Sequence, residues 1–181
     1  RHFLGDRFDL CSIINARSGN CTENCRFCAQ SARHHTGIDT YTVIPEEEAL
    51  AQAADNDQHG VGRLSLVTSG RSLAPDTLEA LVGLYGKMAA STSLLFCASA
   101  GMLNPEIAAT LKEAGVVRYH CNLEASRGYF PQVCTTHTWA EKVETLGLAR
   151  AAGMTLCSGG IIGMGEQMTD RIDMIFELRE L

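Results

Sequence analysis

The 181-residue sequence predicts an α/β fold built as part of a (β/α) barrel. Two observations carry that expectation. Short apolar runs alternate with longer amphipathic runs five times in succession, and such alternation requires parallel strands joined by crossover helices. Cysteines recur where these strands end, at Cys97, Cys121 and Cys157. In a barrel the carboxyl ends of all strands converge on one face, where barrel enzymes hold their sites. Pattern alone suits an open doubly wound sheet equally well; the recurring cysteines select the barrel.

The elements follow in chain order. A first strand is expected over Phe8 to Ala16, an apolar run that leads into a cysteine loop. Ser31 to Ile44 is polar and reads as an irregular connection, with His34 and His35 as solvated loop residues. Pro45-Glu46-Glu47-Glu48 opens a helix that runs to about Asp57, because proline suits a position whose N–H has no partner and carboxylates suit the positive helix end. Gly60 to Gly62 ends it. Arg63 to Thr68 is a short apolar run bounded by Gly62 and Ser69-Gly70, as a buried strand requires. A helix over Pro75 to Met88, a strand over Ser93 to Ala98 and a helix over Pro105 to Ala114 follow, with Gly115 as the stop. Strand Val116 to Cys121, helix Trp139 to Ala152 with Gly153 as its stop, strand Thr155 to Gly159 and helix Thr169 to Leu181 complete the series, and Pro131 to Cys134 reads as loop.

Composition narrows the class. At 45% hydrophobic residues, the chain can bury one core in a single domain spanning residues 1–181. No apolar run approaches the roughly 20 residues that span a bilayer. A formal charge of −6 gives no reason to expect nucleic acid or an acidic membrane surface as partner. Eight cysteines with no recognisable secretory segment fit a reducing compartment, so a cytoplasmic location is expected. The sequence stops inside an amphipathic pattern at Leu181, which suggests a fragment lacking its C-terminal units; a natural half-barrel that dimerises is the alternative.

The chemistry concentrates in Cys21-Thr22-Glu23-Asn24-Cys25-Arg26-Phe27-Cys28, a C-x3-C-x2-C loop. Three thiolates on one loop can hold three corners of a four-iron, four-sulfur cube and leave one iron without a protein ligand. Zinc would need a fourth ligand from elsewhere. A bacterial ferredoxin run has C-x2-C-x2-C spacing, which this loop lacks. A disulfide framework belongs to small secreted domains.

Further stretches agree with one family. Asn15-Ala16-Arg17-Ser18-Gly19, Cys28-Ala29-Gln30-Ser31, Tyr119-His120-Cys121-Asn122-Leu123-Glu124 and the run Cys157 to Glu166, together with the cysteine loop, resemble the biotin synthase family of the radical S-adenosylmethionine superfamily. The resemblance implies a TIM-type barrel of eight strand-helix units, of which about five are present here. It implies a [4Fe-4S] cluster on Cys21, Cys25 and Cys28, S-adenosylmethionine bound to its open iron, and radical insertion of sulfur into dethiobiotin. It also implies a flavodoxin- or ferredoxin-type electron donor and a homodimer when full length. Phe27 matches an aromatic residue beside the adenine, and either stacks there or shields the cluster. Gly159 to Glu166 fits the pattern G-x-I-x-G-x-x-E, which places Gly160, Ile161 and Gly163 against the cofactor. Asn122 matches a residue touching substrate and nucleoside. Glu124 matches an acidic residue on the ribose hydroxyls, usually aspartate in the family. Lys142 stands where an arginine usually meets the cofactor's carboxylate, keeping the charge without the bidentate fork.

A second cysteine set concerns the sulfur donor. Cys97 and Cys157 match two ligands of the family's auxiliary [2Fe-2S] cluster. Ser65 replaces a third ligand, and the fourth, an arginine, falls beyond Leu181. Cys121 and Cys134 are therefore expected to complete a four-thiolate set for an auxiliary cluster of the four-iron kind, with buried inert thiols as the alternative. Cys11 is expected to be core. Arg71 is expected to meet a carboxylate of substrate or cofactor, and neither His120 nor His137 is expected to be a ligand. Two other functions stay open: another radical enzyme of the same subgroup, and a non-catalytic iron-sulfur protein.

Overall fold

The computed structural model describes residue 5 and residues 9–181. Five strands, β1 (Cys11–Arg17), β2 (Arg63–Thr68), β3 (Leu95–Ser99), β4 (Val116–His120) and β5 (Thr155–Cys157), form one parallel sheet in the order β1-β2-β3-β4-β5. The order never reverses. A doubly wound sheet needs a reversal to put helices on both faces, whereas same-handed crossovers between successive neighbours put them all on one. The sheet is thus the wall of a barrel, with helices outside.

Each helix starts and stops for a local reason. α1 (Glu46–Gln58) follows Pro45 and carries three glutamates in its first turn. α2 (Pro75–Ser91) and α3 (Pro105–Glu113) begin with proline, and Asn104 caps α3 by accepting from Ile107 N at 2.7 Å. A single turn, α4 (Phe130–Val133), interrupts the segment read as loop. α5 (Trp139–Ala151) opens on a reciprocal cap between Thr138 and Glu141, and α6 (Met168–Arg179) closes the series.

Register sorts the strands into two faces. Ile14, Leu66 and Ala98 lie in one row and Leu64, Phe96 and Val116 in another, all buried against the helices. An extra residue in β4, between Val116 and Arg118, shifts the register so that Tyr119, three positions after Val116, faces the same core. Tyr119 donates to Gly101 O at 2.7 Å and accepts from Ala100 N, and Tyr85 donates to Cys97 O at 2.8 Å, so neither buried hydroxyl lacks a partner. The alternate residues form the inner face: Cys11 and Arg63 in one row, then Ile13, Ser65, Cys97, Arg118 and Thr155 in the next.

Some boundaries differ from expectation. β1 starts at Cys11, and Phe8 lies outside the described residues. β3 starts at Leu95, because Ser93 is held by Asp57 through its N–H at 3.2 Å and its hydroxyl at 2.6 Å. Cys97 therefore sits in the middle of its strand and not at the carboxyl end. β5 ends at Cys157, two residues early.

Candidate active site

A cavity of about 300 Å³ opens at the carboxyl ends of the strands. Cys21, Cys25 and Cys28 all line it, and so do Phe27, Asn122, Glu124 and Lys142. Residues separated by more than 90 positions in sequence thus share one chamber of a size suited to a small ligand.

The cysteine loop is held from both sides. Cys21 N donates to Gln30 O at 3.1 Å, Ala32 N to Cys21 O at 2.8 Å, and Cys28 N to Cys25 O at 3.0 Å. Ser69, at the end of β2, donates its hydroxyl to Gly19 O at 2.6 Å, which ties the approach to the loop to the strand rim. On the other side α4 and its following residues clasp the loop: Arg26 N donates to Val133 O at 3.0 Å, and Asn24 bonds Thr135 and Thr136. His34, expected to be solvated, places Nε2 3.1 Å from Cys25 O.

Glu23 is a buried carboxylate at the centre of this clasp. It accepts from His137 Nδ1 at 2.5 Å and Thr136 Oγ1 at 2.9 Å, with Arg71 Nη1 at 3.4 Å. Burial works to raise its pKa, but these hydrogen bonds and the nearby positive charge hold it below the ordinary value. Burial holds His137 low as well, so carboxylate and neutral imidazole coexist. With Nδ1–H given to Glu23, Nε2 is left buried and unpartnered. Arg71 also pairs with Glu141 and donates to Thr136 O at 2.9 Å. Its charge is shared between two of the chain's own carboxylates, Glu23 and Glu141, and the residue also lines the cavity. Its carbonyl accepts from Met102 N, and a Cβ on Gly101, at φ 78°, would strike the Arg71 backbone.

The opposite wall comes from the segments after β4 and β5. Glu124 N donates to Gly159 O at 3.1 Å and Ile161 N donates to Glu124 O at 2.9 Å, which extends the pairing of the two strands past their ends. Glu124 adopts φ 69°, an uncommon conformation for a side chain of this kind and one that concentrates at functional positions. Its Oε2 is buried without a partner. Burial raises the pKa of this carboxyl, and the Lys142 charge works against that rise. Asn122 Oδ1 lies 2.8 Å from His120 Nε2, so the ring holds the amide oxygen and leaves the amide N–H groups to donate. Gly160 packs where any Cβ would collide with Met174, and Gly163 N donates at 2.8 Å to Glu166, whose carboxyl is drawn down to about 2, chiefly by that bond and further backbone N–H groups. Lys142 is buried, 6.0 Å from the Phe130 ring centroid.

The remaining thiols divide. Cys134 Sγ lies 3.7 Å from Cys25 Sγ and 3.3 Å from His137 Nδ1. Burial and the Cys134 thiol push Cys25 up; burial also acts to raise Cys134, but hydrogen bonds from Thr136 and His137 outweigh it and hold Cys134 low. Cys134 is therefore on the side of the cysteine loop, because α4 folds beneath that loop. Cys121 is buried in the main core and lines the cavity beside Glu124 and Lys142. Cys97 and Cys157 share the inner face of the sheet with Cys11, which is exposed and not core. The expected set of Cys97, Cys121, Cys134 and Cys157 is distributed over these three places.

The donor chemistry fits an iron-sulfur cube at the loop: three thiols line one cavity and no disulfide joins any described cysteine. The unpartnered Glu124 carboxylate fits a hydroxyl-bearing ligand next to it.

Comparison with known proteins agrees. Residues 16–178 match the model of the Radical SAM superfamily. A biotin synthase of Desulfotalea psychrophila is 52% identical over 177 residues, 98% of this chain and 53% of that protein. A biotin synthase of Heliobacterium modesticaldum is 51% identical over 180 residues, 99% of this chain and 55% of the relative. The chain spans about half the length of the curated relatives it matches. Among solved structures, methylornithine synthase (PylB) superposes with a TM-score of 0.85 at 18% identity, over 99% of this chain and 52% of the other. The hydrogenase maturase HydG of Carboxydothermus hydrogenoformans gives 0.81 at 17% identity, over 99% and 43%. These two share the fold. With a matching family model over most of its length, three loop thiols in one chamber and a partial barrel around them, the chain belongs to the radical S-adenosylmethionine superfamily.

Proposed function

We propose that this chain forms the radical-generating core of a biotin synthase, which inserts sulfur into dethiobiotin. The observation that carries the reading is the chamber in which Cys21, Cys25 and Cys28 face Asn122, Glu124 and Lys142. The identity to biotin synthases over nearly the whole chain supports the substrate.

A [4Fe-4S] cluster held by the loop thiols would supply the electron for reductive cleavage of S-adenosylmethionine, and an auxiliary cluster would supply the sulfur. The protein's part is position and charge. Cys21, Cys25 and Cys28 hold the first cluster. Lys142, buried on the Phe130 ring, offers an ammonium to the cofactor's carboxylate. Glu124, lacking a partner for Oε2, accepts from the ribose hydroxyls. Its backbone pairing with Gly159 and Ile161 fixes it beside the stretch Gly160, Ile161 and Gly163, which, with Phe27 on the cysteine loop, would hold the cofactor's adenine. Asn122, held by His120, donates its amide N–H groups toward substrate and nucleoside. Cys97 and Cys157 on the inner face serve the auxiliary cluster.

No helix among the described residues is long and apolar enough to cross a membrane. We place the enzyme in the cytoplasm, as a homodimer at full length, reduced by a flavodoxin- or ferredoxin-type donor. The test is anaerobic reconstitution of the full-length protein with iron and sulfide, followed by S-adenosylmethionine, reductant and dethiobiotin. Formation of 5′-deoxyadenosine together with biotin is the expected result. Deoxyadenosine with no product containing the added sulfur would overturn the assignment of substrate.

A further inference from the structure

The inner face of the sheet holds an arrangement that the loop chamber does not use. Its thiols are Cys11 on β1, Cys97 on β3 and Cys157 on β5. Ser65 on β2 is directly in register with Cys97 and one row along from Arg63, the partner of Cys11. Strands lie about 4.8 Å apart and a two-residue step is about 6.6 Å, so Cys11 is the diagonal neighbour of Ser65 on one side while Cys97 is its direct neighbour on the other.

Two further observations point to a ligand there. Ser65 is 3% exposed, and its Oγ has no hydrogen-bond partner. Arg63 Nε is also buried and makes no hydrogen bond, with the Asp9 carboxylate 3.6 Å away. Buried polar atoms are seldom left this way unless something satisfies them. Arg63 stands in the row of Cys11 and Arg118 in the row of Cys97, while Cys157 is in register with His120 one row further along. Among the described residues, only Cys25, Cys134 and His137 bring three such donors within 4.8 Å of one another. Cys11, Cys97 and Cys157 are thus spaced too widely for a single ion and suit a group of several irons.

We propose that Cys11 is a ligand of the auxiliary iron-sulfur cluster, joining Cys97 and Cys157 and taking the place of the thiolate that Ser65 does not provide. Ser65 then donates its free hydroxyl to that cluster, which gives its buried oxygen the partner the chain alone lacks. Cys121, in the main core, and Cys134, against Cys25, are not members of the set. This inference rests on the sulfur-inserting reading above.

The experiment uses full-length protein, reconstituted anaerobically, with iron and sulfide counted and Mössbauer spectra recorded for the native protein and for Cys11→Ala, Cys11→Ser and Cys121→Ala. Cys11 is exposed in this chain, and Cys11→Ser keeps nearly its size, so the fold is expected to survive. Cys11→Ala is expected to lose the auxiliary signal and its share of the iron while keeping the signal of the loop cluster. Cys11→Ser is expected to shift the auxiliary signal, and Cys121→Ala to keep both. Adding Ser65→Cys to Cys11→Ala is expected to bring an auxiliary signal back. An undiminished auxiliary signal in Cys11→Ala would overturn the role of Cys11 alone. A native protein with only the loop cluster would overturn this inference together with the sulfur-inserting reading.

Discussion

On the outer side of the sheet, Ile14, Leu64, Leu66, Phe96 and Ala98 are all buried, and Tyr85 of α2 and Tyr119 of β4 have their hydroxyls satisfied. On the inner side the same strands present Cys11, Ser65, Cys97, Arg118 and Cys157, with Ser65 Oγ left unpartnered and Ile13 63% exposed. Alternate residues of one strand therefore do different work. The outer face is complete within this chain and supplies its stability. The inner face and the rim above it leave Ser65 Oγ and Glu124 Oε2 without partners, and are where we place the chemistry.

The widest separation between the two is expected from paired substitutions. Cys28→Ala removes one of three loop ligands, and reductive cleavage of S-adenosylmethionine should fall below detection, measured as deoxyadenosine formed by full-length enzyme, with the unfolding midpoint of the cluster-free protein little changed. Leu66→Ala is the converse. A fully buried leucine on the outer face should cost about 2–5 kcal/mol in denaturant unfolding, while the folded fraction still binds the loop cluster. If Leu66→Ala instead removed the cluster without loss of stability, the division between faces would not stand.

A smaller effect belongs to the rim. Glu124→Gln keeps the shape and removes the carboxylate proposed to accept from the ribose. Loss of charge-assisted hydrogen bonds worth about 1.5–3 kcal/mol should weaken S-adenosylmethionine binding roughly ten- to hundredfold by equilibrium titration. Unchanged affinity would show that Glu124 serves only the backbone link to Gly159 and Ile161.

The smallest concerns the glycine stretch. Glu166 is held at about 2 against an ordinary 4.5, first by the N–H of Gly163 and with help from Arg171. Because the unfolded chain takes up this proton first, the stabilisation is complete above pH 4.5 and is lost as pH falls from there toward 2. Amide exchange of Gly163 and Met164 in cluster-free protein should accelerate across that window beyond the change intrinsic to pH. Glu166→Gln should make the excess disappear.

The sequence was most legible where local chemistry decides the structure. Proline and asparagine starts and the Gly115 and Gly153 stops set α2, α3 and α5 within a few residues of expectation. α4 escaped because a single turn leaves no periodic pattern, and Pro131 reads equally as turn or first helical residue. The three loop cysteines and the residues after β4 were readable from spacing and family likeness. Which thiols share a face was not. β1 is apolar on both sides, so its pattern does not reveal that Cys11 points inward with Ile13 and Asn15. Nor does any local signal say that Cys134 folds under Cys25, since that depends on how α4 docks 109 residues away. Likewise Glu23, between two cysteines, looks like a solvated loop residue until His137, Thr136 and Arg71 surround it.

That clasp orders events during synthesis. Asn24 bonds Thr135 and Thr136 across 111 and 112 positions, and Glu23 bonds His137 across 114. At roughly 5–20 residues per second, a ribosome takes about 5–20 s to produce these partners after the cysteines have been made. For that interval the three thiols have only the loop's own hydrogen bonds and the tie from Ser69 to Gly19, without the clasp from α4. Durable iron loading then waits for the segment around α4, and oxidation or stray metals have their best chance at these cysteines before that segment has been made.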